Sequence, residues 1–146
     1  MTPVHVRLAP HTPAEGSWSA PLLAAVMLSV GVLHLVAPQP FDRIIPRVLP
    51  AGWRRPLTYA SGVAEIVAGA LVAVPATRRV GGRFTAALLV LVLPANVDAA
   101  LRGGYPGLQG WAGSSTAAWL RVPLQIPLIG WALSVSRLDG PGRGDS

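Results

Sequence analysis

Four long stretches of this 146-residue sequence are almost entirely apolar. The hydrocarbon core of a bilayer is about 30 Å thick, and a helix of about 20 residues crosses it. Each stretch is close to that length, and the segments between the stretches are short. The sequence therefore predicts an all-α fold, a polytopic membrane protein built as a four-transmembrane-helix bundle. The predicted spans are residues 21–37, 57–76, 80–101 and 117–136.

The composition agrees with a membrane protein and excludes several other classes. Hydrophobic residues make up 51% of the chain and charged residues only 12%, with a mean hydropathy of +0.49. The net charge of +6 comes from twelve Arg residues without any Lys, and most of them flank the apolar stretches instead of forming a basic face. We therefore expect no nucleic-acid partner. The absence of Cys excludes disulfides, thiolate catalysis and Cys-ligated metals.

The domain organisation is predicted to be simple. We expect one four-helix transmembrane domain over residues 20–137, between a disordered N-terminal tail (1–19) and a disordered C-terminal tail (138–146). The first span is predicted to be a retained helix and not a cleaved signal peptide. The reason is that Pro38-Gln39-Pro40 follows it, where a cleavage site needs small residues.

The connection between the first two spans carries an apolar stripe. Phe41, Ile45 and Leu49 recur at helical spacing, and charged residues occupy the other face. Pro46 must kink or restart such a helix. We expect a short amphipathic segment that lies at the membrane interface and caps the bundle.

The polar residues inside the predicted spans lie at similar depths. Adjacent spans run in opposite directions, and each helical residue advances by about 1.5 Å. On that scale the polar residues share one half of the bilayer, away from the face that carries both chain termini. We call the face with the termini side A and the opposite face side B. The polar residues near side B are His34, Glu65, Asn96, Arg121 and Gln125.

These polar residues predict a buried, paired cluster. A charge in hydrocarbon costs at least about 2.5–3.5 kcal/mol, so unpaired charges are rare there. We expect Glu65 to pair with Arg121, while Asn96 and Gln125 complete the hydrogen bonds. Asp98 is the alternative partner of Arg121. The cluster has three interpretations: a lock on helix register, a ligand or redox-cofactor site, or a path for an ion or solute.

Catalytic and metal-binding signatures are missing from the sequence. His34 has no partner at the spacing of metal ligands, so we predict no metal site. No phosphate-binding loop or nucleophile motif is present, so we predict no catalytic residue.

A series of short motifs runs along residues 30–137. The motifs are His34 with Pro38 and Phe41, Ile45-Pro46, Leu49-Pro50, Ser61-Gly62-Val63-Ala64-Glu65, Pro75 with Thr77-Arg78, Pro94-Ala95-Asn96 and Leu120-Arg121-Val122-Pro123-Leu124-Gln125. In this order and spacing they resemble the DoxX-like family of small bacterial four-helix integral membrane proteins. The resemblance implies a four-helix bundle. Some relatives look like subunits of thiosulfate:quinone oxidoreductases or membrane partners of redox enzymes.

The expected function follows from the cluster and the resemblance together. We expect a non-catalytic accessory or small-ligand-binding membrane subunit. The alternatives are a membrane subunit of a quinone-coupled oxidoreductase and a small solute transporter. The only candidate cofactor is a quinone. The expected partners are the lipid bilayer and either a membrane-associated redox enzyme or further copies of the chain.

The predicted location is the bacterial plasma (inner) membrane, crossed several times, with both termini in the cytoplasm. Compact loops follow the positive-inside rule best, and the Arg78-Arg79 turn on side A is very short. The family resemblance points the same way.

Overall fold

The computed structural model describes residues 18–105 and 108–138, and within those ranges the chain is helical without any strand. Its α-helices are α1 (Ser19–Val36), α2 (Gln39–Asp42), α3 (Arg54–Ala73), α4 (Arg78–Leu101) and α5 (Ser115–Val135). Short 3-10 helices cover Ala51–Trp53, Pro75–Thr77 and Gly110–Gly113. The predicted all-helical fold is confirmed, and four of the helices are long and apolar enough to cross a membrane. The predicted disordered tails fall mostly on residues 1–17 and 139–146, which lie outside the described residues.

The helix ends differ from the predicted spans by at most three residues. The first helix already begins at Ser19, whose Oγ accepts a hydrogen bond of 2.7 Å from Nε1 of Trp131 in α5. Helix α3 begins before Pro56, because the first turn of a helix has no internal donors to lose and tolerates a proline. It ends at Ala73, two residues before Pro75.

Consecutive long helices pack as antiparallel neighbours, with α1 on α3, α3 on α4 and α4 on α5. Helices α1 and α3 come close together at two glycines, Gly31 and Gly62. A Cβ atom added at Gly31 would lie 2.7 Å from the carbonyl oxygen of Gly62, and one at Gly62 would lie 2.7 Å from Cβ of His34. The two backbones therefore approach to a distance that only glycine allows, as in many membrane helix pairs.

The interior of the bundle is made mainly of small residues, and large apolar residues point outward. The buried core towards side A includes Ala20, Ala24, Ala68, Ala86 and Ala132. In contrast, many large aliphatic residues are exposed, and three of them, Val36, Leu91 and Ile126, are 70–74% exposed. This distribution places apolar surface on the outside of the bundle and close-packed small residues inside it.

The segment between α1 and α3 is less helical than predicted. Only α2, which has four residues, and the short turn Ala51–Trp53 are helical there. Prolines at positions 46 and 50 remove backbone donors and interrupt the helix that the apolar stripe indicated. The segment nevertheless folds over the side-B end of the bundle.

Candidate functional site

A cavity of about 100 Å³ lies at the side-B end of the bundle, between all four long helices and beneath the segment that follows α1. Four of the five predicted cluster residues line it, one from each long helix. The lining residues are Val30, His34, Phe41, Ile44, Ile45, Thr58, Ser61, Glu65, Val92, Ala95, Asn96 and Arg121. We call this the polar cavity.

His34 is held against α3 on one wall of the polar cavity. Its Nδ1 lies 2.8 Å from the carbonyl oxygen of Val30 and 3.1 Å from Oε2 of Glu65. Because a carbonyl oxygen can only accept, Nδ1 carries a hydrogen and donates it to Val30. Phe41 stacks on the imidazole, with ring centroids 3.7 Å apart and an interplanar angle of 26°. The imidazole is thus fixed from its own helix and from the covering segment.

Two residues that line the polar cavity each carry a side-chain oxygen that is buried without a hydrogen-bond partner among the described residues. These oxygens are Oγ1 of Thr58 and Oε2 of Glu65. Nδ1 of His34 lies 3.1 Å from Oε2 but hydrogen-bonds the carbonyl oxygen of Val30 at the shorter distance of 2.8 Å. Buried polar groups in proteins are nearly always paired. Both oxygens can therefore still form a hydrogen bond that no described residue supplies.

The predicted ion pair between Glu65 and Arg121 does not form. Both residues line the polar cavity, but the carboxylate of Glu65 contacts His34. The guanidinium of Arg121 lies over the Tyr105 ring, with its carbon 5.7 Å from the ring centroid. The alternative partner, Asp98, is bound by Arg102 four residues later, at 2.7 Å. Within the described part of the chain Arg121 has no carboxylate partner, and the residue is exposed, not buried as predicted.

Gln125 does not belong to the polar cavity, contrary to the prediction. Its Nε2 donates a 2.9 Å hydrogen bond to the carbonyl oxygen of Leu89, which joins α5 to α4. Asn96, in contrast, is buried and lines the cavity. Although Gln125 lies one helical turn from Arg121, its side chain links α5 to α4 and does not line the polar cavity.

The segment that covers the polar cavity is fastened by arginines from two long helices. Arg102 donates to the carbonyl oxygens of Arg43 and Ile44, each at 3.3 Å. Arg55 donates to Oδ2 of Asp42 at 2.8 Å. These contacts were not predicted from the sequence, which gives no direct signal for an arginine that binds backbone carbonyls.

The predicted cap residues divide into two groups. Phe41 and Ile45 line the polar cavity together with Ile44. Leu49 does not line it and is 39% exposed, and its neighbour Val48 is 89% exposed. The part of the cap that includes Leu49 was therefore predicted wrongly.

Sequence reasoning also missed Thr58, whereas the spacing of four residues already put Ser61 on the helix face of Glu65. Both stand on α3 at spacings of seven and four residues from Glu65, so the three side chains share one helix face. That spacing was the available signal. Among the described residues no group of three potential metal-ligating side chains is present.

A second, larger cavity of about 510 Å³ adjoins the first and shares Arg121 with it. It lies between the start of α5 and the loop before it, and most of its lining is apolar or aromatic. We call it the aromatic groove; its lining residues are Tyr105, Leu108, Trp111, Ala112, Ala117, Leu120, Arg121, Pro123 and Leu124.

Comparison with known proteins gives one finding. The family model described as Domain of unknown function (DUF8561) matches residues 23–136, which include most of α1 and all of the helices after it. No curated protein and no solved structure matches the chain.

Proposed function

The chain belongs to the family of the domain of unknown function DUF8561, and we propose that it is a multi-pass membrane protein that binds a small polar ligand in the polar cavity. In this proposal the protein is a non-catalytic accessory or ligand-binding subunit. The observation that carries it is the pair of buried, unpartnered oxygens of Thr58 and Glu65, two residues that line one cavity.

The membrane location is supported by the surface of the bundle. In the most apolar part of each candidate span, no more than 33% of the residues are buried inside the protein. Large aliphatic side chains cover the outside, where a bilayer would shield them.

We propose the bacterial plasma membrane, with both termini in the cytoplasm. The protein should stay in the membrane pellet after an alkaline carbonate wash, and a C-terminal reporter should be active only inside the cell. Release into the wash, or a reporter active only outside, would contradict this placement.

Ligand binding explains the cavity better than a lock on helix register does. A structural lock is favourable when its members satisfy one another, because an unpaired buried group costs about 1–3 kcal/mol. Here Glu65 has a largely buried side chain, and the exposed Arg121 lines the same cavity without pairing with it. Binding a ligand between them would satisfy both groups.

The lining defines the chemistry of the ligand. Glu65 accepts hydrogen bonds, and Arg121 donates them to oxygen acceptors. Thr58 and Asn96 can both donate and accept. A volume of about 100 Å³ is about three times the share of one water in the liquid, roughly 30 Å³. The expected ligand is therefore a molecule of a few heavy atoms with a donor at one end and an acceptor at the other.

Thr58→Val separates ligand binding from a structural role, because it replaces an unpartnered hydroxyl with a methyl group of similar shape. Without ligand, the variant should be as stable as the wild type or more stable, since no hydrogen bond is lost. Small molecules released from the purified protein by denaturation would be compared by mass spectrometry. The wild type should carry a species that Thr58→Val and Glu65→Gln lack.

Ser134→Ala is the matched control for that experiment, since Ser134 is an exposed helical hydroxyl that only bonds its own helix, at the carbonyl oxygen of Trp131. The control should retain the bound species at the wild-type level. Equal small-molecule content in the wild type and both cavity variants would refute ligand binding.

A quinone-coupled role is the second candidate, and the aromatic groove favours it. Its volume of about 510 Å³ lies in the usual range of about 300–1,000 Å³ for ligand pockets. Its aromatic and aliphatic lining suits a ring with an apolar tail, and Arg121 offers a donor for a ring carbonyl. The proposed kinship to the DoxX-like family, which rests on the sequence motifs, agrees with this role.

The quinone hypothesis is tested by filling the groove. Leu124→Trp should lower the amount of quinone extracted with the purified protein, whereas Leu91→Trp, on the exposed surface of α4, should leave it unchanged. If the two variants carry equal quinone, or if the wild type carries none, the groove is not a quinone site.

A further inference from the structure

Four arginines surround a third cavity, which is distinct from the other two and lies at the side-B surface. Its volume is about 150 Å³, and its lining consists of Arg43, Ile45, Arg47, Arg54 and Arg102. The arginines come from the segment after α1, the start of α3 and the end of α4. Ile45 also lines the polar cavity and stands between the two sites. We call this the arginine pocket.

The arginine pocket has an excess of positive charge. Among the described residues, its lining contains four guanidinium groups and no carboxylate. The nearest acidic contact is Asp98, whose Oδ2 receives Nε and Nη2 of Arg102 at 2.7 Å each. Asp42 is engaged by Arg55, which is not in the lining. With Asp98 assigned to Arg102, the guanidinium groups of Arg47 and Arg54 still have no carboxylate partner among the described residues.

One of these arginines also has an unused donor. Nε of Arg54 is buried and has no hydrogen-bond acceptor among the described residues. A buried charged donor without an acceptor is costly, more so than a neutral one. The convergent charge and the unpartnered Nε are separate observations, and both indicate that the pocket takes an anion.

We propose that the arginine pocket binds a phosphate group. Guanidinium groups present planar pairs of donors that match the oxygens of phosphate, and clusters of arginine are the usual means of binding it. Basic pockets between the ends of membrane helices bind lipid head groups through the same chemistry. The phosphate is therefore carried by an anionic phospholipid or is free in solution. This proposal does not depend on the ligand of the polar cavity, and only its lipid form rests on the proposed membrane location.

Arg102 is unsuitable for the test, because it fastens the covering segment through two backbone carbonyls. Arg47 and Arg54 are the better choices. The variant Arg47→Gln/Arg54→Gln removes two positive charges from the pocket. The matched control is Arg79→Gln/Arg137→Gln, which makes the same change in net charge on exposed residues at side A. Arg47→Gln alone changes one exposed side chain and guards against misfolding of the double variant.

Two probes distinguish the sources of the phosphate. The first is inorganic phosphate, added to delipidated protein in detergent, with the rise in melting temperature as readout. The second is phosphatidylglycerol, counted by native mass spectrometry as lipid retained per protein, with phosphatidylcholine as the uncharged comparison. The pocket variant should bind the effective probe at least about tenfold more weakly than the wild type, the effect of losing one charged hydrogen bond. The single Arg47→Gln change should lower binding in the same direction.

The outcomes are distinct. Selective loss of phosphatidylglycerol in the pocket variants indicates a lipid site, and selective loss of the response to inorganic phosphate indicates a site for a free anion. If the pocket variants and the side-A control bind both probes equally, the proposal is overturned.

Discussion

Replacing Gly62 with alanine is expected to destabilise the bundle and to disturb the polar cavity together. The new Cβ atom would lie 2.7 Å from Cβ of His34 and 2.9 Å from the carbonyl oxygen of Gly31. Ordinary van der Waals contact begins at 3.4 Å, so α1 and α3 must move apart by 3.4 minus 2.7, or 0.7 Å. Two of the opposing atoms belong to backbone or to Cβ, so a change of rotamer cannot relieve the clash.

The magnitude follows from two opposing effects. Overpacking a tight contact costs about 1–3 kcal/mol, whereas alanine in place of glycine inside a helix gains about 0.5–1 kcal/mol. The net loss lies between about 0 and 2.5 kcal/mol, with a central value of about 1.2 kcal/mol, which corresponds to a drop in melting temperature of about 2–5 °C for a protein of this size. The separation of α1 from α3 also lengthens the 3.1 Å contact between His34 and Glu65.

The assay is thermal unfolding in detergent, followed by circular dichroism. Gly130→Ala is the matched control, because a Cβ at Gly130 in α5 would meet no atom within 4 Å. The control should melt at the wild-type temperature or above it, while Gly62→Ala melts below it. If both variants are equally stable, α1 and α3 do not pack through their glycines.

Three further predictions concern single contacts. In a double-mutant cycle, His34→Gln and Glu65→Gln should be coupled by about 0.5–3 kcal/mol, and strictly additive losses of stability would show that the two side chains do not interact. Trp131→Phe should lower stability by about 0.5–1.5 kcal/mol, because it removes the Nε1 group that donates a 2.7 Å hydrogen bond to Oγ of Ser19; an unchanged melting temperature would exclude that bond. The chain has no Cys, so Ile45→Cys should react slowly with a water-soluble thiol reagent and Val48→Cys quickly, and equal rates would indicate an open loop instead of a cover.

The sequence was sufficient for the number and order of the helices. Hydropathy shows which stretches of the chain avoid water, and the length of an apolar stretch decides whether it can span a bilayer as a helix. Depth was also predictable, because the rise per residue is constant and neighbouring helices alternate in direction. For these reasons His34, Glu65, Asn96 and Arg121 were expected at one end of the bundle, and the structure places them around one cavity.

The partners within the site were not predictable in the same way. These partners depend on the rotation of each helix about its axis and on which helices are in contact. Hydropathy gives little information about either. The close approach at Gly62 brings α1 onto α3, so Glu65 meets His34 instead of Arg121. Gln125 is turned towards α4, where it bonds the carbonyl oxygen of Leu89.

The covering segment shows a second limit of sequence reasoning. Its apolar residues recur at helical spacing, but the prolines remove the donors that a helix needs, and the chain continues as turns. As a result the stripe is broken after Ile45, and Leu49 no longer faces the cavity. Of the three residues in the predicted stripe, Phe41 and Ile45 line the polar cavity and Leu49 does not.

Ligand binding in the polar cavity is tested most directly by a density map of protein purified in lipid nanodiscs, at a resolution that shows small molecules. If the cavity holds a ligand, non-protein density should lie within hydrogen-bonding distance, about 3 Å, of both Oγ1 of Thr58 and Oε2 of Glu65. The same density should be absent from Thr58→Val. A cavity closed by a direct ion pair between Glu65 and Arg121, with no density between them, would contradict ligand binding and favour a purely structural cluster.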